Sequence, residues 1–389
     1  MIVVPSVDVF KSKESEYLLI LTLLSINIFL SNQFNLRSTE SCQDYSFLAT
    51  SENVKIIGRY YQNEDITWIT YSGSAVEFYA LGNYAELVIA GDDNILAEKD
   101  YRPRYAIYLD DKLLVDTKMN DYEFTIQFKI SKDENSKSKI KIMLLSENQN
   151  GGVGIKLIKI NSCFDKKNAI SPTEKKKFSI EFIGDSITCG YGVDAPDQSY
   201  SFTTTTENFS KTYAYLASQI LDVDYSVMAL SGHGIVSGYS GGDKWAEGLI
   251  PLYYEKNSRN VHYPGNWDFE KNKNDIIFIN LGTNDANYVN ADRDNRANEF
   301  VEEFVNFLQT VRNLNPDAYI FCTLGTLNPL NMYPLVEQAV KLFGGDKISV
   351  FESPTQNMSD GLGADWHPSK ITHEKLAKLV AGKISEVLN

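Results

Sequence analysis

The sequence predicts two domains in series, an all-β sandwich and then a doubly wound parallel α/β sheet, and three observations lead there. Its 389 residues exceed what a single core usually organises, since domains mostly run to roughly 100–200 residues. Between residues 54 and 160 the chain breaks into short β-branched and aromatic runs separated by Gly, Asn, Asp and Lys clusters, the pattern of strands joined by turns. After the polar, Pro-containing stretch DKKNAISPTEKKK (165–177) the period changes, and strand-length apolar runs alternate with helical segments.

Taken in order, residues 1–50 read as a leader. Within it, YLLILTLLSINIFLS (17–31) is a nearly uninterrupted apolar run behind Lys11 and Lys13. It is shorter than the roughly 20 residues that cross a bilayer and about as long as a signal-peptide core. Export is therefore expected, with a membrane anchor formed by the same residues as the alternative. The sandwich is expected over 51–163, its strands including VKIIGRYY, ITWITYS, AVEFYAL, AELVIAG, RYAIYLD, EFTIQFKI, KIKIMLLS and GIKLIKI. Residues 164–177 read as a linker. The α/β domain follows over 178–389, with strands in FSIEFIGDS, DYSVMALSG, NDIIFINLGTND and DAYIFCTLG. Helices are expected in TYAYLASQIL, ANEFVEEFVNFLQTVRNL, YPLVEQAVKLF and THEKLAKLVAGKISEVL. Sheets of this kind bind ligands beyond the carboxyl ends of their strands.

Composition narrows the functions. A formal charge of −14, from 51 acidic against 37 basic residues, repels a phosphate backbone, so no nucleic-acid partner is expected. Apolar residues at 43% and charged residues at 23% exclude a wholly disordered or polytopic membrane chain. The four histidines and four cysteines show no CxxC, HExxH or HxH spacing, so neither a metal site nor a cofactor is expected. Cys42 and Cys163 flank the sandwich. In an exported chain, a jelly-roll-like sandwich that brings its ends together would let them form a disulfide. Cys189 and Cys322, within apolar stretches, read as small buried hydrophobes.

Four motifs stand at strand ends. Gly184-Asp185-Ser186-Ile187-Thr188 can present an exposed serine hydroxyl at the sheet rim, or can be an ordinary turn in which the serine caps a helix. Gly232, in Ser231-Gly232-His233-Gly234, lets a backbone N–H approach a ligand; with Ser237 in place of glycine the segment falls short of a GxGxxG dinucleotide fingerprint. Asn284, in Gly282-Thr283-Asn284-Asp285, can donate to a developing oxyanion or cap a helix. Asp365-Trp366-His367-Pro368-Ser369 supplies His367, a base of the kind a nucleophilic serine needs, and Asp365, which can accept from its other ring nitrogen if the loop folds back.

These four blocks, in this order, resemble the SGNH (GDSL-like) hydrolase superfamily across about residues 178–389. The β-rich region before them looks like the jelly roll that precedes an SGNH domain in carbohydrate esterase family 2, and GDSITCGYG and DWHPS are similar to that family's first and last blocks. The resemblance implies Ser186 as nucleophile, His367 as general base, and the Ser186 N–H, the Gly232 N–H and the Asn284 side chain as oxyanion donors. The superfamily's acid stands three residues before the histidine, where this chain has Ala364; Asp365, one residue closer, takes the role unless a backbone carbonyl orients the histidine, as in some members. Asp185 is assigned to hydrogen bonding behind the serine. Trp366 is expected to wall a sugar or acyl site, or else to be a packing residue. The function implied is a secreted serine esterase that deacetylates plant polysaccharides such as xylan and glucomannan, with no cofactor and no stable membrane partner. A lipid- or thioester-directed SGNH hydrolase and a catalytically weak carbohydrate-binding protein are the other two readings.

Overall fold

Two six-stranded sheets built of antiparallel pairs form the first half of the computed structural model, which describes residues 42–130, 136–327 and 329–388. The expected export segment 17–31 lies outside those residues. One sheet runs β3 (Tyr60–Asn63), β4 (Ile66–Ile69), β11 (Val153–Ser162), β6 (Tyr84–Gly91), β9 (Glu123–Lys129), with β1 (Gln43–Phe47) also on β11. The other runs β12 (Ile170–Pro172), β5 (Ala75–Ala80), β10 (Ser138–Leu144), β7 (Arg104–Leu109), β8 (Lys112–Lys118), with β2 (Lys55–Ile57) on β5.

Polarity alternation sets these faces. Ala85, Leu87 and Ile89 of β6 are fully buried and pack with Phe78, Ile107 and Ile142 in the sandwich core. In GIKLIKI the alternation slips, because Ile155 and Ile158 are three apart yet both fully buried. A register shift between Ile155 and Leu157 against β6 reconciles them, a bulge that turns the remainder of the strand inward.

Part of the segment expected as a linker carries regular structure. Residues Lys166–Ala169 form a single helical turn, α1, and β12 pairs antiparallel with β5. Its polar composition hid a strand of three residues whose Ile170 alone is buried. Cys42 and Cys163 are disulfide-bonded, whereas Cys189 and Cys322 are free and buried.

The second half is a five-stranded sheet in the order β14 (Asp224–Ala229), β13 (Ser179–Gly184), β15 (Ile276–Asn280), β16 (Tyr319–Leu324), β17 (Ile348–Glu352), parallel throughout. Helices α2 (Ser186–Cys189), α3 (Tyr213–Leu221), α4 (Ala286–Ala291), α5 (Arg293–Leu314), α6 (Tyr333–Phe343) and α7 (Lys370–Ser385) connect and cover it. On one face α3 and α7 bury Ala214, Ala217, Ala377 and Val380 against Ile180 and Phe278. On the other α5 and α6 bury Phe300, Phe304, Val336 and Val340 against Ile277 and Ile279. The sheet is thus doubly wound, and its order reverses at β13, where such folds open a crevice for ligands. β17 escaped the sequence reading because it is a half-exposed edge strand with no strong apolar run.

Asp44–Asn389 form one compact unit. A buried ion pair joins its two halves: Arg59, between β2 and β3, donates from Nη2 and Nε to Glu181 Oε1 of β13 at 2.9 and 3.1 Å. Neither side chain has any exposed surface. Tyr254 donates to the other Glu181 oxygen at 3.1 Å, and the rings of Tyr254, Phe269 and Trp267 surround the guanidinium. Among the described residues no helix is long and apolar enough to cross a membrane.

Candidate active site

The carboxyl end of β13 delivers the first group. Asp185 caps the following helical turn, its Oδ1 accepting from Ile187 N at 3.0 Å, and this places Ser186 at the start of α2. Ser186 is 6% exposed, and its Oγ lies 2.8 Å from His367 Nε2. Two side chains separated by most of the α/β domain therefore meet within hydrogen-bond reach.

His367 is held by its own loop. Its Nδ1 lies 3.1 Å from the Ala364 carbonyl, which fixes the tautomer: Nδ1–H donates backward and Nε2 is left to accept from Ser186. Burial pulls the imidazole down to about 4, so the ring is neutral at ordinary pH. Tyr191 stacks on it, with ring centroids 4.0 Å apart and planes 22° apart.

Asp365 does something other than accept from the second ring nitrogen. Its Oδ2 accepts from Tyr191 Oη at 2.7 Å and from Phe202 N at 3.0 Å, while the Ala364 carbonyl takes the position at Nδ1. The reason is backbone: Asp365 and Trp366 have φ of +48° and +67°, so the loop coils left-handed for two residues and carries the carboxylate away from the ring. The same coil turns Trp366 outward. It is 58% exposed and lies outside the set of residues lining the cavity beside Ser186.

That cavity has a volume of about 710 Å³. Its aromatic wall comes from Tyr191, Phe202, Tyr239 and Trp245 instead, and Ser186, Gly232, Asn284 and His367 all line it. Gly232 has φ +75°, a conformation that disfavours a side chain. Asn284 Nδ2 donates to the His233 carbonyl at 2.9 Å and, more weakly, to Asp185 Oδ2 at 3.4 Å. Burial, with the Asp285 charge adding to it, pushes Asp185 up to about 7.

Sequence reasoning missed several residues that hold these groups. Asp285, directly after Asn284, accepts from Ile235 N at 2.9 Å, Val236 N at 2.7 Å and Ser237 N at 3.1 Å, so one carboxylate ties down the loop that begins at Gly232. Its burial raises it to about 6, and those three N–H groups oppose the rise. The GTND block held that signal in its last letter. Tyr191 sits in the Gly-Tyr-Gly that closes the first motif, and Gly192 explains the second glycine. With φ +62° and an ideal Cβ only 2.5 Å from Ala364 Cβ, that position lets the serine segment lie against the histidine loop. Glu147 and Gln149, from the sandwich, also line the cavity, and nothing local in ENQNGG marks them.

The chain is similar to several known proteins. Residues 182–375 match the GDSL-like Lipase/Acylhydrolase family. The cellulase/esterase CelE of Acetivibrio thermocellus is 36% identical over 228 residues, covering 57% of this chain and 26% of that protein. An acetylxylan esterase / glucomannan deacetylase of Cellvibrio japonicus is 30% identical over 218 residues, covering 53% of this chain and 58% of the relative. The chain thus spans about a quarter and somewhat over half of the lengths of these curated relatives. A solved family two carbohydrate esterase from Clostridium thermocellum, in complex with cellohexaose, superposes with a TM-score of 0.75 at 27% identity, covering 86% of this chain and 99% of that one. With its motif blocks at the strand ends and a sandwich ahead of the parallel sheet, the chain belongs to the GDSL-like lipase/acylhydrolase family and is built on the plan of the family 2 carbohydrate esterases.

Proposed function

We propose that the chain is an exported serine esterase that removes O-acetyl groups from polysaccharides such as acetylated xylan and glucomannan. The observation that carries this is the 2.8 Å contact between Ser186 Oγ and His367 Nε2 at the wall of a cavity that Gly232 and Asn284 also line. The named activities of the two curated relatives support the acetyl-glycan assignment, and the aromatic wall offers flat apolar faces of the kind that stack on sugars. The disulfide-bonded state of Cys42 and Cys163 supports export.

In the first step His367 Nε2 takes the Ser186 proton as Oγ attacks the acetyl carbonyl carbon. The negative charge that develops on the carbonyl oxygen is taken by the Ser186 N–H, the Gly232 N–H and the Asn284 amide, whose weak 3.4 Å bond to Asp185 is the one to be redirected. The sugar alkoxide leaves with the proton from Nε2. Water, activated by the same nitrogen, then releases acetate and restores Ser186. Asp365 acts here by fixing Tyr191 and the loop, and the Ala364 carbonyl orients the histidine.

Acetate release from acetylated xylan and glucomannan by the wild type and by Ser186→Ala tests the reading, with a loss of about 10³-fold or more expected for the variant. Wild-type release no greater than the variant's leaves a binding protein. Faster turnover of p-nitrophenyl octanoate than of the acetate points instead to a lipid-directed hydrolase.

A further inference from the structure

We infer that the corner of the sandwich between β10 and β11 is a positioning element of the oxyanion site, with Glu147 and Gln149 aiming the Gly232 N–H. The inference rests on the acyl-transfer reading above. It begins with peptide geometry. The Ser231 carbonyl and the Gly232 N–H belong to one planar trans peptide and point in opposite directions, so whatever fixes that oxygen also aims that hydrogen.

The structure fixes the oxygen from two sides. Gln149 Nε2 lies 3.1 Å from Ser231 O, and His233 Nδ1 lies 2.9 Å from it. Glu147 anchors the other end of the same residue, its Oε2 accepting from Ser231 N at 2.9 Å. That oxygen also accepts from Gln149 Nε2 at 2.9 Å, so Glu147 orients the amide that orients the peptide. Its own place is set by burial to 2% exposure and by its backbone N–H, which donates to Glu207 Oε2 at 2.9 Å. Asn148, between the two, docks the corner on the α/β domain: its Nδ2 donates to Ser258 Oγ at 2.7 Å and its Oδ1 accepts from Arg259 N and Asn260 N at 3.2 Å each. Gly232, at φ +75°, lacks the side-chain restraint that would keep its preceding peptide from turning over, so the Gln149 and Glu147 contacts from outside the loop add to the hold that His233 Nδ1 supplies from within it.

A peptide that turns over would present the Ser231 carbonyl where a donor is needed, replacing an attraction to the oxyanion with a repulsion. Loss of the corner contacts should therefore act on the transition state and not on substrate binding. The test uses p-nitrophenyl acetate with the full chain, comparing wild type, Gln149→Ala, Glu147→Ala and Glu147→Gln, together with inhibition by methylboronic acid, which forms a tetrahedral adduct on a serine. Gln149→Ala and Glu147→Ala are expected to lower kcat by about 10- to 100-fold, with KM within about twofold and Ki for the boronate raised in step with the fall in kcat. Glu147→Gln, which keeps an acceptor for Ser231 N–H, should recover most of the loss. A kcat within about twofold of wild type in Gln149→Ala overturns the proposal. So does a fallen kcat with an unchanged Ki, since that reports fewer folded molecules and not a misaimed donor. Wild-type hydrolysis equal to that of Ser186→Ala refutes the acyl-transfer reading itself, a result distinct from either.

Discussion

At the scale of single residues, the site works because one imidazole is kept neutral and pointed. Its basic nitrogen is free for Ser186 only while the ring is unprotonated, so activity should be present above the His367 pKa and be lost as pH falls through it. With burial lowering that value to about 4, the acid limb of kcat/KM should have its midpoint near 4 and leave activity intact at pH 6, which a pH–rate profile would show. A midpoint at 6.5 or above would mean that a carboxylate charge supports the ring after all. The same question can be put to Asp365. Because Ala364 holds Nδ1, Asp365→Ala should cost less than about tenfold in kcat; a loss on the order of 10⁴, as follows loss of a triad aspartate, would contradict the arrangement. Ser186 and His367 were legible because each sits in a short motif whose chemistry is local. The destination of the Asp365 carboxylate was not, since it depends on the sign of φ at two residues that the side chains do not announce.

At the scale of elements, strands were readable where an apolar or β-branched run was long enough to stand out from its neighbours, and missed where it was short or half-exposed. β6 and β15 stood out; β12 and β17 did not, because β12 has three residues of which only Ile170 is buried, and β17 has five residues none of which is fully buried. What the elements do for the site is bring loops into register, and the Gly190–Gly192 stretch is the tightest case. Ala364 N donates to Gly192 O at 3.1 Å, and no Cβ fits between them. Gly192→Ala should therefore push the histidine loop away from Ser186, adding a left-handed strain of about 1–2 kcal/mol. The expected result is a kcat lowered by about 100-fold with a modest fall in Tm, measured side by side.

At the scale of the whole molecule, sequence and structure agree on antiparallel β-sheets followed by a parallel α/β sheet, and the stretch between them carries more structure than its composition announces. Part of the expected linker is a strand and a helical turn, and the halves share a buried arginine whose partners stand far apart in sequence, which no local pattern reveals. Removing that arginine alone would strand Glu181 without its counter-charge inside β13. Arg59→Met should cost about 3–5 kcal/mol in urea unfolding, and adding Glu181→Leu should return much of it. If Arg59→Met unfolds at the wild-type midpoint, the pair contributes nothing to joining the halves. The corner at Glu147–Gln149 has a different kind of consequence, for how such chains can be shuffled by recombination. A crossover between two diverged relatives placed after the sandwich would join one parent's corner to the other's oxyanion loop, and the chimaera would fold with a poorly aimed peptide. The segments around residues 147–149 and 231–233 should therefore be inherited together, although more than 80 residues of chain separate Gln149 from Ser231.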